Sequence, residues 1–121
     1  GRTNIGDALK DAKTEVVHGV NGRSNALKVI VLLSDGVPNR CANGSPCTQN
    51  AAANYARAQA HASAALGVRI YTIGLGSDLD LALMQDIADI GSGLFIQSPT
   101  PAELQATFQA VADDIEVRLL Q

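Results

Sequence analysis

The chain has 121 residues, of which 46% are apolar and only 3% aromatic, so it is long enough for one domain whose core must be filled by alanine, valine, isoleucine and leucine. Its formal charge of −3 and isoelectric point near 5.1 disfavour nucleic-acid binding, which needs a basic surface. No apolar run reaches the roughly 18 residues of a membrane-spanning helix, so no membrane span is predicted, and no signal peptide is recognisable.

The first third of the chain contains one helical and one strand pattern. Apolar residues recur at helical spacing from residue 4 to about residue 18, which predicts a helix. Residues 28–34 form an almost continuous apolar run rich in β-branched side chains, which predicts a strand of a parallel sheet buried on both faces. A loop containing glycine and proline follows over residues 35–48.

The same alternation continues towards the C-terminus. Residues 49–66 are alanine-rich, which predicts a helix packed closely on the sheet. Further elements are predicted as a strand at 68–74, a helix at 79–90 and a short strand at 94–97. The sequence Thr100-Pro101-Ala102-Glu103 then predicts a capped start for a last helix that runs to about residue 120.

Helices that separate buried strands indicate right-handed crossovers, and therefore a parallel sheet covered by helices on both faces. Only three strands are recognisable in the sequence, which leaves a long apolar strand at one edge of the sheet. Such an edge promotes aggregation unless something covers it. We therefore expect a covering element, which is a retained N-terminal fragment, the same strand of a second copy, or a swapped segment.

Two cysteines, Cys41 and Cys47, enclose a segment of small turn-forming residues that lets the chain fold back on itself. A disulfide is the preferred interpretation, and it predicts an oxidising compartment: secreted, periplasmic or cell-surface. The alternative is two free thiols in a cytosolic loop. A structural zinc site needs about four ligands and is disfavoured, because only His18 and His61 could join the cysteines and both are interpreted as ordinary helix residues.

Polar and glycine residues follow each strand, and they form the rim of the predicted sheet, at residues 34–36, 74–78 and 97–100. Ligands of open parallel sheets bind at such a rim. We expect Asp35 to lie there partly desolvated, where it either binds a hard cation or caps the turn at Gly36, and the local pattern favours neither. Judged on its neighbours alone, Thr3 is a helix N-cap, and Asp78 and Asp80 cap the helix that follows them.

Catalytic motifs are missing from the sequence. It has no G-x-S-x-G elbow and no Gly-Lys-Ser/Thr phosphate-binding loop, and Gly74-Leu75-Gly76 lacks the third glycine of a dinucleotide fingerprint. The sequence therefore gives little support for nucleophilic catalysis, dinucleotide binding or a phosphate-binding loop.

Several motifs together resemble one family, the von Willebrand factor A (vWA) domains. Residues 1–9, which include Thr3-Asn4-Ile5, resemble the Gly-Gly-Thr-Asn-Ile-x-x-Ala-Leu segment of that family, and residues 29–36 resemble its Val-x-x-Leu-Leu-Thr-Asp-Gly strand. The resemblance extends over nearly all of residues 1–121. It implies a three-layer, doubly wound, Rossmann-like α/β fold, of which this chain supplies parallel strands 4, 5 and 6 with their flanking helices. The N-terminal strands and the Asp-x-Ser-x-Ser loop are then expected to precede Gly1.

The resemblance also implies a metal-ion-dependent adhesion site. In the family, an Asp-x-Ser-x-Ser loop, a threonine and an aspartate bind Mg²⁺ or a similar cation, and an acidic side chain of a partner protein often completes the metal shell. Thr3 and Asp35 match the threonine and the aspartate. Because Asp-x-Ser-x-Ser does not occur in the 121 residues, we expect Mg²⁺, Mn²⁺ or Ca²⁺ binding to this chain alone to be weak or absent.

The implied function is an extracytoplasmic protein-interaction or adhesion module that is not an enzyme. The cysteine-bearing insertion after Asp35 resembles that of bacterial A domains near pilus-assembly and tight-adherence proteins. One alternative is an A-domain subunit that couples an ATPase complex, such as a metal chelatase, to its substrate. Another is a structural A domain that binds no metal. A disulfide favours the extracytoplasmic module, whereas free thiols favour the chelatase-type subunit.

Overall fold

The computed structural model describes residues 4–18, 28–98 and 100–119, and these form alternating helices and strands. The helices are α1 (Ile5–His18), α2 (Gln49–Ala65), α3 (Leu81–Ile90) and α4 (Leu104–Leu119), and the strands are β1 (Lys28–Ser34), β2 (Val68–Leu75) and β3 (Ser92–Ser98). Short 3-10 turns lie at Ala42–Gly44 and Pro101–Glu103. Every helix and strand predicted from the sequence is present.

The described strands form one parallel sheet in the order β1-β2-β3. β1 and β2 pair in register from Lys28 opposite Val68 to Ser34 opposite Gly74. Because the strands are parallel, their carboxyl ends lie at the same edge of the sheet. The described residues that follow the three strands therefore lie along one edge of the sheet.

Helices cover both faces of the sheet, which confirms the predicted three-layer α/β architecture. α1, α2 and α3 pack on one face, where the core is built from side chains such as Leu9, Ile30, Ile70 and Ile87. On the opposite face α4 contacts β3, and Val111 packs in a second cluster with Tyr71 and Ile73.

Small side chains bring α2 close to its neighbours. Its buried residues form one stripe of the helix, namely Ala52, Ala53, Ala56, Ala60 and Ser63. α2 contacts α1, α3 and β2, so this alanine stripe allows three elements to approach one helix. The helix begins where the hydroxyl of Thr48 accepts a hydrogen bond from the backbone N–H of Ala51 at 3.1 Å.

The prediction that β1 is buried on both faces is wrong for two of its residues. Ile30 and Leu32 point into the core, but Val31 and Leu33 are 37% and 41% exposed. β1 is an edge strand of the described sheet, and α4 packs over β3 on the far side. The outer part of β1 is therefore uncovered on that face, and its burial alternates along the strand.

The starts of α3 and β3 each differ from the prediction by two residues. α3 begins at Leu81 because the carboxylate of Asp80 caps it, accepting a hydrogen bond from the N–H of Leu83 at 3.1 Å. β3 begins at Ser92, two residues before the apolar run, because Gly93 lies against the backbone carbonyl of Ile70. A Cβ atom at Gly93 would overlap that carbonyl, so only glycine allows the two strands to approach so closely.

Candidate functional site

An open depression of about 190 Å³ lies at the rim, between the start of α1 and the carboxyl end of β1. Its lining combines apolar and polar residues. The lining residues are Asn4, Ile5, Ala8, Leu32, Leu33, Ser34 and Asp35. The start of the first helix and Asp35, the predicted metal-binding aspartate, thus line the same depression.

Asp35 is exposed to solvent, so the expectation that it is partly desolvated is wrong. The turn after β1 is held by its neighbour Ser34, whose hydroxyl donates to the carbonyl of Gly36 at 3.0 Å and accepts from the N–H of Gly36 at 3.4 Å. Within the described part of the chain, the Asp35 carboxylate makes no hydrogen bond or ion pair. Capping of this turn is therefore the role of Ser34, and Asp35 is accessible to a ligand.

Asn4 is the residue that caps α1. Its side-chain oxygen accepts a hydrogen bond from the N–H of Asp7 at 2.9 Å, as an N-cap residue does. Its side-chain nitrogen donates to Asp7 Oδ2 at 2.7 Å and to the carbonyl of Cys41 at 3.1 Å. Thr3, the other predicted metal ligand, lies outside the described residues, so its pairing with Asp35 stays a prediction.

Asp7 joins three separate elements next to this depression. Its Oδ1 accepts a hydrogen bond from the hydroxyl of Tyr55 on α2 at 2.5 Å, and its Oδ2 accepts from the backbone N–H of Gly44 at 3.0 Å. Together with the bond from Asn4, these contacts satisfy both carboxylate oxygens. These hydrogen bonds fix the positions of α1, α2 and the loop 41–47 relative to one another.

Hydrogen bonding shifts the pKa values of this pair in opposite directions. Donation from the Tyr55 hydroxyl is the largest effect and lowers the pKa of Asp7. Burial, the second-largest effect, raises it, and hydrogen bonds from Gly44, Asn4 and Asn43 lower it further. The hydrogen bond to Asp7 raises the pKa of Tyr55 to about 12, with burial as the second cause. Asp7 is therefore ionised and Tyr55 protonated throughout the physiological pH range.

Cys41 and Cys47 form a disulfide, with their Cα atoms 6.0 Å apart, which confirms the preferred interpretation of the sequence. The enclosed loop is a tight hairpin in which the N–H of Cys41 donates to the carbonyl of Ser45 at 2.8 Å. Asn43 and Gly44 both adopt left-handed backbone conformations, with φ of 59° and 75°. Such angles are accessible to glycine and asparagine, which explains the composition of the loop.

The connection between Asn4, Asp7 and Tyr55 is not predicted from the sequence. The best signal for it is Gly6, a glycine inside a predicted helix, which usually marks close packing. A Cβ atom at Gly6 would overlap the ring of Tyr55, so this glycine makes room for the tyrosine against α1.

The described residues do not form a metal site by themselves. No group of three or more His, Cys, Asp or Glu side chains among them is arranged to hold an ion. None of the described helices combines the length and apolar character that crossing a membrane requires.

The match between residues 1–110 and a family model, the von Willebrand factor type A domain, decides the family. This chain belongs to the von Willebrand factor type A domain family. The rim of this A domain carries Asp35 after β1 and Asn4 at the start of α1.

Two solved structures are similar to this A domain. Proximal thread matrix protein 1 (PTMP1) from the mussel byssus is 24% identical, with a TM-score of 0.62 over 92% of this chain and 23% of that chain. The ArnB paralog VWA2 from Sulfolobus acidocaldarius is 31% identical, with a TM-score of 0.41 over 65% of this chain and 18% of that chain. The chain thus spans less than a quarter of the length of either structure. No curated protein sequence matches it significantly.

Proposed function

We propose that this A domain is a non-enzymatic protein-interaction module that binds its partner at the rim around Asp35. Domains of this family are generally protein-interaction modules. The observation that carries the proposal is the exposed Asp35 carboxylate, which lines the depression without a hydrogen bond or ion pair within the described residues. A carboxylate in that position is accessible to a partner and is not occupied by the fold.

The proposed role of Asp35 is that of one oxygen ligand in a metal-ion-dependent adhesion site, with Thr3 as a second. Mg²⁺ demands near-octahedral coordination by oxygen, and the described residues do not provide it. The remaining ligands would come from outside the described residues. An acidic side chain of a partner fits this rim only when a bound Mg²⁺, Mn²⁺ or Ca²⁺ offsets the charge of Asp35.

The disulfide supports an extracytoplasmic location for this function. Cys41–Cys47 closes a loop whose contacts reach Asn4 and Asp7 beside the depression, and such bonds persist in oxidising compartments. This favours a secreted, periplasmic or cell-surface module, of the kind found near pilus-assembly proteins. It argues against the cytosolic alternative in which the domain couples an ATPase to its substrate.

Partner capture from extracts of the source cells, with the domain immobilised in Mg²⁺ or in a chelator, tests the proposal. Captured proteins count only if their binding needs the metal and falls at least roughly tenfold in Asp35→Ala, a loss of about 1.4 kcal/mol. Asp78→Ala is the matched control, because it removes another exposed carboxylate from the same rim.

Two outcomes would contradict the proposal. Binding that persists in the chelator and in Asp35→Ala would show that the partner contacts another surface. An equal loss in Asp35→Ala and Asp78→Ala would indicate a general effect of charge rather than a site at Asp35.

A further inference from the structure

The tip of the disulfide loop carries the pair Asn43-Gly44, both exposed to solvent. Asparagine followed by glycine is the dipeptide most prone to spontaneous deamidation, because glycine has no Cβ to hinder its backbone nitrogen from reaching the asparagine side chain. Nothing in the proposed binding function uses these two residues. Their chemistry is therefore a separate property of the loop.

The reaction requires only the chain and water. The backbone nitrogen of Gly44 loses its proton and attacks Cγ of Asn43, forming a new C–N bond and a five-membered succinimide ring. The side-chain nitrogen of Asn43 takes up a proton and leaves as ammonia. Water then opens the ring at one of its two carbonyls, giving aspartate or isoaspartate at position 43.

The folded loop opposes the first step of this reaction at the nucleophile. The N–H of Gly44 donates to two acceptors, the carbonyl of Cys41 at 3.1 Å and Asp7 Oδ2 at 3.0 Å. Attack requires this nitrogen to give up the shared proton. The developing negative charge would then face the carboxylate of Asp7, which raises the energy of the anion.

The backbone of the loop opposes the reaction as well. Asn43 is held at φ 59° and ψ 27°, inside a hairpin closed by the disulfide and by the hydrogen bond from Cys41 N–H to Ser45 O at 2.8 Å. Ring closure needs rotation about the Asn43 backbone to bring the Gly44 nitrogen onto Cγ. That rotation is incompatible with the hairpin, so the loop must open first.

We propose that Asn43 is a deamidation site that the oxidised, folded loop holds unreactive, and that it becomes reactive when the Cys41–Cys47 disulfide is reduced or the contact from Asp7 to Gly44 is lost. Deamidation of Asn43 releases ammonia, so the change in the loop would be irreversible. The new carboxylate at position 43 would lie close to that of Asp7 and would repel it. The loop would lose its anchor on α1 at the point where Asn4 borders the depression.

Peptide mapping by mass spectrometry at mildly alkaline pH measures the deamidation rate of Asn43 directly. We expect the rate in the oxidised native protein to be at least roughly tenfold below that in the denatured chain. The reason is that Asn43 reacts only while the loop is open, and opening the loop costs free energy. Reduction and alkylation of both cysteines should raise the deamidation rate of Asn43 to near its value in the denatured chain. The second Asn-Gly pair of the sequence, Asn21-Gly22, serves as the rate reference in the denatured chain.

Asp7→Ala tests the contact between the Gly44 N–H and the Asp7 carboxylate. Asp11→Ala is its control, because Asp11 is an exposed carboxylate one turn further along the same helix. Asp7→Ala should speed deamidation of Asn43 severalfold while Asp11→Ala leaves it unchanged. Circular dichroism shows whether each variant is folded, and reduced wild-type protein provides an independent measurement if Asp7→Ala is not. Equal rates of Asn43 deamidation in native and denatured protein, or no response to either reduction or Asp7→Ala, would overturn the proposal.

Discussion

At the scale of single residues, one carboxylate fixes the position of several parts of the fold. Asp7 accepts hydrogen bonds from Tyr55, Gly44 and Asn4, which belong to α2, the disulfide loop and the cap of α1. Helical periodicity identifies α1 and α2, but it does not say which turns of the two helices meet. The pairing of Asp7 with a tyrosine on another helix was therefore not predictable from sequence spacing.

The first prediction concerns the titration of Tyr55. Because its pKa is raised to about 12 while that of Asp7 is lowered, the contact stabilises the fold fully between the ordinary pKa values of the two groups, about 3.8 and 10.0. This stability is lost as pH rises through about 12, or as it falls through the lowered pKa of Asp7. Ultraviolet difference spectra of wild type minus Tyr55→Phe should show phenolate formation near pH 12.

Asp7→Asn is the companion measurement, since an amide at this position carries no charge to oppose ionisation of the phenol. The Tyr55 titration should move down towards the ordinary tyrosine value in that variant. A Tyr55 midpoint near the ordinary value in wild-type protein would show that the hydrogen bond to Asp7 is not formed in solution.

The second prediction concerns Gly6, where a Cβ atom would overlap the Tyr55 ring. Alanine is the better helix former by about 1 kcal/mol, yet we expect Gly6→Ala to destabilise the protein by about 1–2 kcal/mol because the ring must move. In a Tyr55→Ala background the same substitution should become stabilising, since the clash is gone. Denaturant unfolding of the four proteins measures this cycle, and a destabilisation that persists without the tyrosine ring would contradict the argument.

At the scale of elements, the disulfide loop is the part whose stability depends most on covalent chemistry. Closing a loop of this size removes chain entropy from the unfolded state, which corresponds to about 2 kcal/mol in the loop-entropy model. We therefore expect the double variant Cys41→Ser/Cys47→Ser to lose about 2 kcal/mol of unfolding free energy relative to the oxidised protein. Equal stability of the two proteins, or two free thiols in the unreduced, unfolded wild type, would contradict the disulfide.

Element types followed from the sequence because each pattern has its own period, whereas details that depend on neighbours did not. The apolar run of β1 indicated a strand, but its exposed Val31 and Leu33 follow from its place at the sheet edge, which no local pattern encodes. In α4 the side chain of Phe108 is 43% exposed, while that of Thr107 is buried, and helical spacing alone does not distinguish the two. The helix is rotated on the sheet so that Val111 meets Tyr71 and Ile73.

At the scale of the whole molecule, the first question is whether the chain binds metal without further ligands. The strand pattern predicted that Asp35 follows β1, as it does in the structure, whereas the metal-ligand set that the motif resemblance implies is only Thr3 and Asp35. Two oxygen side chains compete poorly with the hydration shell of Mg²⁺. We therefore predict a dissociation constant above about 1 mM for Mg²⁺ and Mn²⁺ by calorimetric titration. Tighter binding that disappears in Asp35→Ala would show that the chain supplies more ligands than these two.

The second question at this scale is what covers the outer edge of β1. Among the described residues β1 pairs only with β2, so the backbone groups on its other side have no partner strand there. Val31 and Leu33 add apolar side chains on the face left open by α4. A long apolar edge of this kind pairs readily with another chain.

The last prediction is that the 121-residue chain is not a lone monomer of 12.5 kDa in solution, because a second copy or another segment pairs with β1. Leu33→Lys places a charge on the edge strand at a position already 41% exposed, so it should reduce self-association at least roughly tenfold at little cost in stability. Val117→Lys is the matched control, because Val117 is an exposed apolar residue on α4. Light scattering and intact mass on the same sample distinguish self-pairing from a bound fragment. A stable wild-type monomer with a cooperative melt and no second fragment would show that the edge needs no cover.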